Sequence, residues 1–304
     1  TGSFLKKLME PGADPSKMSF FMPDHNGPCR FGQYNQFQRI LFDRLGFREA
    51  ELVTPSNDTS YADLAGDRSQ RFRINAWKGF VAFDYIRKLY RETRPYELNP
   101  GDTEEVYQSA LKRAEASIEN NCRGLRRILV ETTHEFMAVK VDKSRRKPVI
   151  AVIGEVYMRD NAGCNGNIAN RLEALGAEVT IGPFSEWITY STHRYTRDSR
   201  WKNDTRGLIK SKIQSLGQEV IIDYLLRGIN KYTDTTKDVP LHEMLELSNR
   251  YVSEFYDGDP PIAMGTSAAL AKRGVSGIAA ILPFTCMPGT LVASVSDSFR
   301  KDNN

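Results

Sequence analysis

The 304 residues include only four cysteines, at 29, 122, 164 and 286, and no two form a C-x-x-C pair. That excludes a disulfide scaffold and the common zinc ribbons. Histidine is as sparse, with four residues and no H-E-x-x-H or paired spacing, so a histidine-rich zinc site is not expected. No G-x-x-x-x-G-K-[ST] loop occurs, and no G-x-G-x-x-G follows a strand; Gly163-Cys164-Asn165-Gly166 is too short for one. Neither familiar phosphate loop therefore supports nucleotide binding. The G-x-S-x-G elbow of α/β-hydrolases is also missing. No apolar run reaches the length of a membrane span. Charge of one sign is not in excess either: 42 basic against 38 acidic residues leave +4, which calls for neither nucleic acid nor an anionic membrane. Thr1-Gly2-Ser3-Phe4 has no basic flank or apolar core of a signal peptide. We expect a cytoplasmic protein, and the non-Met start reads as a processed end or a fragment.

Hydrophobic residues make up 40% and charged residues 26%, a globular balance rather than a disordered one. Periodicity gives strands and helices in alternation. Lys17–Met22 reads as a short strand, followed by a turn-rich break from Pro23 to Pro28. Phe37, Ile40, Leu41 and Leu45 recur at helical steps up to a cap at Gly46, and Glu51–Thr54 is a second strand. Residues 74–92 are helical with Ile74, Trp77, Val81, Tyr85 and Leu89 on one stripe, and residues 103–136 read as one long helical pattern containing Cys122. After the basic hinge Lys143–Lys147 comes the strongest strand, Pro148–Gly154. A loop to Asn165, a helix ending at Gly176 and a strand over Ala177–Gly182 complete a second βαβ unit. Residues 205–230 and 239–256 are polar helices. Ala268–Lys272 belongs to a helix capped at Gly274, Gly277–Leu282 is a strand, and Leu291, Val292, Val295 and Phe299 mark a last helix. The alternation predicts an α/β fold: two domains with mainly parallel sheets and additional helices, divided near residue 145. Residues 1–145 carry the Cys29 loop and long helices; residues 146–304 carry the Cys164 and Cys286 loops.

Cys29 and Cys286 share a context. Each lies in a Pro/Gly-rich loop after a strand and before a helix, Gly27-Pro28-Cys29-Arg30 and Pro283-Phe284-Thr285-Cys286-Met287-Pro288. Such loops stand at the carboxyl ends of parallel strands, where ligands bind, and a helix N-terminus favours an anionic sulfur, both nucleophile and soft metal ligand. The bland alternative is two small buried fillers. Cys164 sits in a similar loop, and Cys122 reads as structural. His25 belongs to the Cys29 loop. Glu155 and the pair Glu186-Trp187 fall at strand ends as candidate polar site residues. Arg30, Arg159, His193 and Arg194 are candidates for an anionic ligand.

Three blocks carry a family likeness: Phe21-Met22-Pro23 with Gly27 to Tyr34; Gly154-Glu155-Val156-Tyr157-Met158-Arg159 with Asn170 to Val179; and Leu282-Pro283-Phe284-Thr285-Cys286-Met287-Pro288-Gly289-Thr290. Together they resemble the 2-hydroxyacyl-CoA dehydratase/benzoyl-CoA reductase subunit family, in its branch within large CoA-substrate-specific enzyme activases. The resemblance runs over nearly the whole chain. It implies flavodoxin-like α/β domains whose loops supply cysteine thiolates to a 4Fe-4S cluster between them. Cys29 and Cys286 match the cysteine-bearing motifs as metal ligands, with Cys164, Arg30 and Glu155 as further cofactor-site residues. It also implies an ATP-dependent activase as electron donor and an acyl-CoA substrate. Family members carry a further cysteine in an N-terminal segment, which this sequence lacks.

Overall fold

The computed structural model describes residues 1–24, 29–55, 66–234 and 238–303. Its contacts divide the chain into two compact units, Thr1–Arg73 and Ile74–Asn304.

In the first unit, helix α1 (Gly2–Leu8), strand β1 (Ser19–Phe21), helix α2 (Tyr34–Arg44) and strand β2 (Glu51–Val53) follow in order. The strands are parallel, with Phe20 opposite Leu52, so the expected strand–helix–strand unit is present. Leu8, Phe20, Phe42 and Ala50 form its small core. Phe20 stacks at 4.8 Å from Phe4 and meets Phe42 edge-on at 5.4 Å. Helix α2 stops where expected, with Gly46 at φ +85°, but its apolar stripe does not face inward. Phe37, Ile40 and Leu45 are exposed, while Asn35, Gln38 and Phe42 are buried. Phe42 is the residue that reaches Phe20, and its position sets which way the helix is turned.

The second unit is organised around residues 74–93 of α3 (Ser69–Thr93). Trp77, Val81, Tyr85 and Leu89 are buried along it, as the spacing predicts; Ile86 is buried beside them, and Ile74, expected on the stripe, is exposed. The buried residues pack on Leu125, Leu129 and Phe136, and on Leu225 and Ile229. The polar atoms of the stripe have partners: Trp77 Nε1 donates to the Gln218 carbonyl at 3.3 Å and Tyr85 Oη to that of Ile229 at 2.8 Å. The long pattern at 103–136 is two helices, α4 (Asp102–Glu119) and α5 (Leu125–Ala138). Between them Asn121, Cys122 and Gly124 take left-handed backbone at φ +55°, +60° and +74°. Asparagine and glycine tolerate that region, so Cys122 lies in a turn and not in a helix.

Strand β3 (Val149–Gly154) leads through short helices α6 (Val156–Asp160) and α7 (Ala162–Asn165), then α8 (Ile168–Ala174), to β4 (Glu178–Ile181). Helices thus replace the loop expected from Glu155 to Asn165. Next come α9 (Phe184–Trp201), α10 (Thr205–Leu226), α11 (Leu241–Ser248), α12 (Pro260–Lys272), β5 (Gly277–Ile281) and α13 (Met287–Asp302). The helix expected over 239–256 ends at Ser248, and the one around Ala268 begins at Pro260, a residue suited to a first turn. The three strands are parallel in the order β4-β3-β5. These short parallel sheets with many helices make the protein mixed α/β. The boundary expected near residue 145 falls inside this unit, where Tyr96 Oη donates to Glu178 at 2.8 Å and Arg91 to Glu173 at 2.7 Å across it.

Candidate functional site

The order β4-β3-β5 sends the chain to one side of β3 and then to the other. Such a reversal opens a crevice at the carboxyl ends of the strands. In the second unit, Glu155, the Gly182-Pro183 link and the Leu282–Cys286 loop leave the sheet at these ends.

Gly154 makes the first of these exits possible. Its φ is +121°, and a Cβ there would lie 2.1 Å from the Ile281 carbonyl oxygen, so only glycine lets β3 and β5 run together to their ends. Glu155 then turns the chain: its N–H donates to the Ile281 carbonyl at 3.1 Å. Its carboxylate accepts the N–H groups of Tyr157 and Met158 at 3.1 and 2.9 Å. That is an N-cap, the structural role for this residue.

One turn on, Arg159 folds under the sheet edge and is 6% exposed. Its Nη2 donates to the Pro183 carbonyl at 3.0 Å. Gly182 admits the guanidinium, since a Cβ there would stand 2.9 Å from Nη1. Arg87, on α3, bridges Asp160, Asp84 and the Gly182 carbonyl. Asp84 in turn caps α9, accepting the N–H groups of Phe184 and Ser185, both at 2.8 Å.

Two carboxyl groups close the cluster. Glu186, in the first turn of α9, is 6% exposed, and its Oε1 has no hydrogen-bond partner. Burial pushes it up to about 7; Arg159 opposes the shift, while Asp84 and Asp259 reinforce it. Asp259 precedes α12 and accepts from Trp187 Nε1 at 3.1 Å. Burial raises it to about 6, with Glu155 adding and Arg159 subtracting. Asp160 is also raised, by burial foremost. The edge thus holds two carboxyls able to carry a proton near neutrality, on an arginine scaffold.

Cys286 lies on the same edge as the N-cap residue of α13, with Pro288 in the first turn. Gly258, beside Asp259, faces this turn: a Cβ on it would stand 3.5 Å from Pro288 Cγ. Gly289 fits under the loop, where a Cβ would lie 3.4 Å from that of Cys286.

The remaining candidates are scattered. In the first unit Cys29 is the N-cap of the 3-10 turn Arg30–Gln33, its Sγ accepting the Phe31 N–H at 3.5 Å, and Arg30 is exposed. His25, Gly27 and Pro28 of that loop lie outside the described residues. Cys164 is exposed on α7. Cys122 points toward the Asn75 carbonyl, and burial raises its thiol pKa. Arg194 pairs with Asp257 at 2.6 Å. His193 is half-buried on α9, its pKa lowered by burial first and then by Arg197 and Arg200, against Glu254. Among the described residues no three His, Cys, Asp or Glu side chains gather as metal ligands, and no helix is long and apolar enough to cross a membrane. The sequence reading had Glu155, Arg159 and Glu186 as separate candidates; Asp84, Arg87, Asp160 and Asp259 it missed. For Asp84 and Arg87 the only signal is charge inside an otherwise buried helical stretch; Asp160 and Asp259 lie at helix ends in polar stretches that carry none.

Comparison of the chain with protein-family models, with curated proteins and with solved structures finds no match.

Proposed function

We propose that the protein is an iron–sulfur electron-transfer component of a 2-hydroxyacyl-CoA dehydratase or acyl-CoA reductase type of system, with Cys29 and Cys286 as thiolate ligands. The observation that supports this is their equivalent placement. Each is an N-cap residue between a strand of a parallel pair and the next helix. Each fits the part of a single ligand. When bound, a 4Fe-4S cluster supplies one-electron chemistry at a potential tuned by thiolates, N–H donors and burial. The chain's own contribution on this reading is at the edge of the β4-β3-β5 sheet. The first turn of α13 presents backbone N–H groups beside Cys286, and Glu186 and Asp259 are carboxyls with raised pKa in the same unit. An ATP-dependent activase would deliver the electron, the substrate would be an acyl-CoA, and the setting cytoplasmic. A module that only binds a CoA phosphate through Arg159 and Arg194 is less well supported, because both guanidinium groups have internal partners.

The test is iron and sulfide content after anaerobic purification and reconstitution. Bound iron with visible absorbance, lost in Cys29→Ser and in Cys286→Ser while the far-UV spectrum stays unchanged, is the expected result. Absence of iron, or retention of all of it in both variants, overturns the proposal.

A further inference from the structure

Helix α10 is apolar on the wrong side. The residues it buries include Gly207, Ser211 and Gln218, with Leu225 near its end. Gln218 and Gln214 both donate to Thr192 Oγ1 of α9 at 3.0 Å. On the opposite face Ile209, Ile213, Leu216, Val220 and Tyr224 are between 56% and 67% exposed. Their spacing of four, three, four and four residues makes one continuous stripe, whose first three steps alternate as in a coiled-coil seam. Five large apolar side chains in one row are not the scattered exposure of an ordinary surface.

Charge on this helix is arranged end to end. Arg206, Lys210 and Lys212 lie in its first half; Glu219 and Asp223 lie in its second. All five are exposed. The geometry points to a second copy of this chain as the occupant, its α10 laid antiparallel on the first about a two-fold axis between Gln214 and Ser215. In that arrangement Ile213 meets Leu216 of the other copy, Ile209 meets Val220, and Arg206 meets Asp223. Lys210 then stands opposite Glu219, with Lys212 beside it. The inner layers match apolar on apolar and the flanking ones cation on anion, with Tyr224 opposite Thr205 at the rim. A parallel pairing would set Arg206 against Arg206 and Asp223 against Asp223, which repel. The isologous contact is what two-fold symmetry requires. It lies on a helix face independent of the proposed cluster chemistry.

Sedimentation of the full chain over a wide concentration range is the test. A reversible monomer–dimer equilibrium is expected, and Leu216→Lys should weaken it at least about tenfold. Because all the substituted positions are exposed, far-UV spectra should not change. Arg206→Glu and Asp223→Arg should each weaken the dimer by about tenfold, and the double variant should return to within about threefold of the original. The exposed Arg227–Asp223 pair lost in Asp223→Arg contributes little by comparison. A chain that stays monomeric throughout, including one whose α10 stripe is protected from hydrogen exchange within the monomer, overturns the inference. So does a dimer indifferent to Leu216→Lys, or a double variant no better than the single ones.

Discussion

Glu186 is a carboxyl placed where its charged form loses water and gains only part of it back from Arg159. Its folded value of about 7 lies above the ordinary 4.5, so the native state binds its proton more tightly than the unfolded chain. The contribution of that proton is full below about pH 4.5 and is lost as pH rises through 7. Asp259 adds the same sign between 3.8 and about 6. Stability should therefore increase as pH falls from 8 toward 6. Glu186→Gln, which keeps the shape and removes the titration, should be more stable than the parent at pH 8 by on the order of 1–3 kcal/mol. Below pH 5 it should gain nothing. Urea unfolding at the two pH values measures this, and an equal change at both would show that burial is not the cause. Gly154 gives a second prediction at this scale. Gly154→Ala combines a left-handed φ with a Cβ 2.1 Å from a carbonyl oxygen, so a loss of about 2–4 kcal/mol is expected. Gly217→Ala, with nothing within 4 Å of the added carbon, should stabilise its exposed helix by about 0.5–1 kcal/mol.

Among the elements, α9 depends on a residue from another helix. Asp84 satisfies two N–H groups of its first turn and also pairs with Arg87. Asp84→Ala removes the cap and leaves a buried guanidinium with less compensation, a loss of about 2–4 kcal/mol. Thermal unfolding followed at 222 nm tests it; a change under 1 kcal/mol would show that water caps this helix equally well. The elements also show how far periodicity carries. Strands at 19–21, 51–53, 149–154, 178–181 and 277–281 were all legible, because β-branched and apolar runs bounded by Gly or Pro are local signals. So were the helix ends at Gly46, Gly176 and Gly274, each with positive φ. The break at Asn121–Gly124 was hidden by apolar residues that keep helical spacing on both sides. The facing of α2 was not legible either: which side is buried depends on Phe20 in another element. The candidate site was half legible. Glu155, Arg159, Glu186 and Cys286 stand next to strands in sequence, but Asp84 and Arg87 enter from a helix, and Asp84 caps a residue 101 positions away.

For the molecule as a whole, the unit boundary decides which fragments fold. A chain beginning at Ser69 retains all of α3 and every partner described for it. It should keep a cooperative unfolding transition. A chain beginning at residue 146 loses Arg87, Arg91 and Tyr96, and with them the hydrogen bonds from Arg91 to Glu173 and from Tyr96 to Glu178. It should be soluble poorly or not at all, and should lack a sharp transition in near-UV circular dichroism. A cooperative transition in that shorter fragment would move the boundary back to the hinge.

Helix α3 also sets a timetable. Trp77 hydrogen-bonds a residue 141 positions later, and Tyr85 one 144 positions later. At synthesis rates of roughly 5–20 residues per second, the ribosome reaches those partners roughly 7–30 s after α3 is made. Throughout that interval Trp77, Val81, Ile86 and Leu89 have no finished core to enter. Closure of so long a loop is slow even once the chain is complete. The nascent protein therefore passes through a stage in which the apolar stripe of α3 is accessible, open to chaperones and to neighbouring chains on the same message.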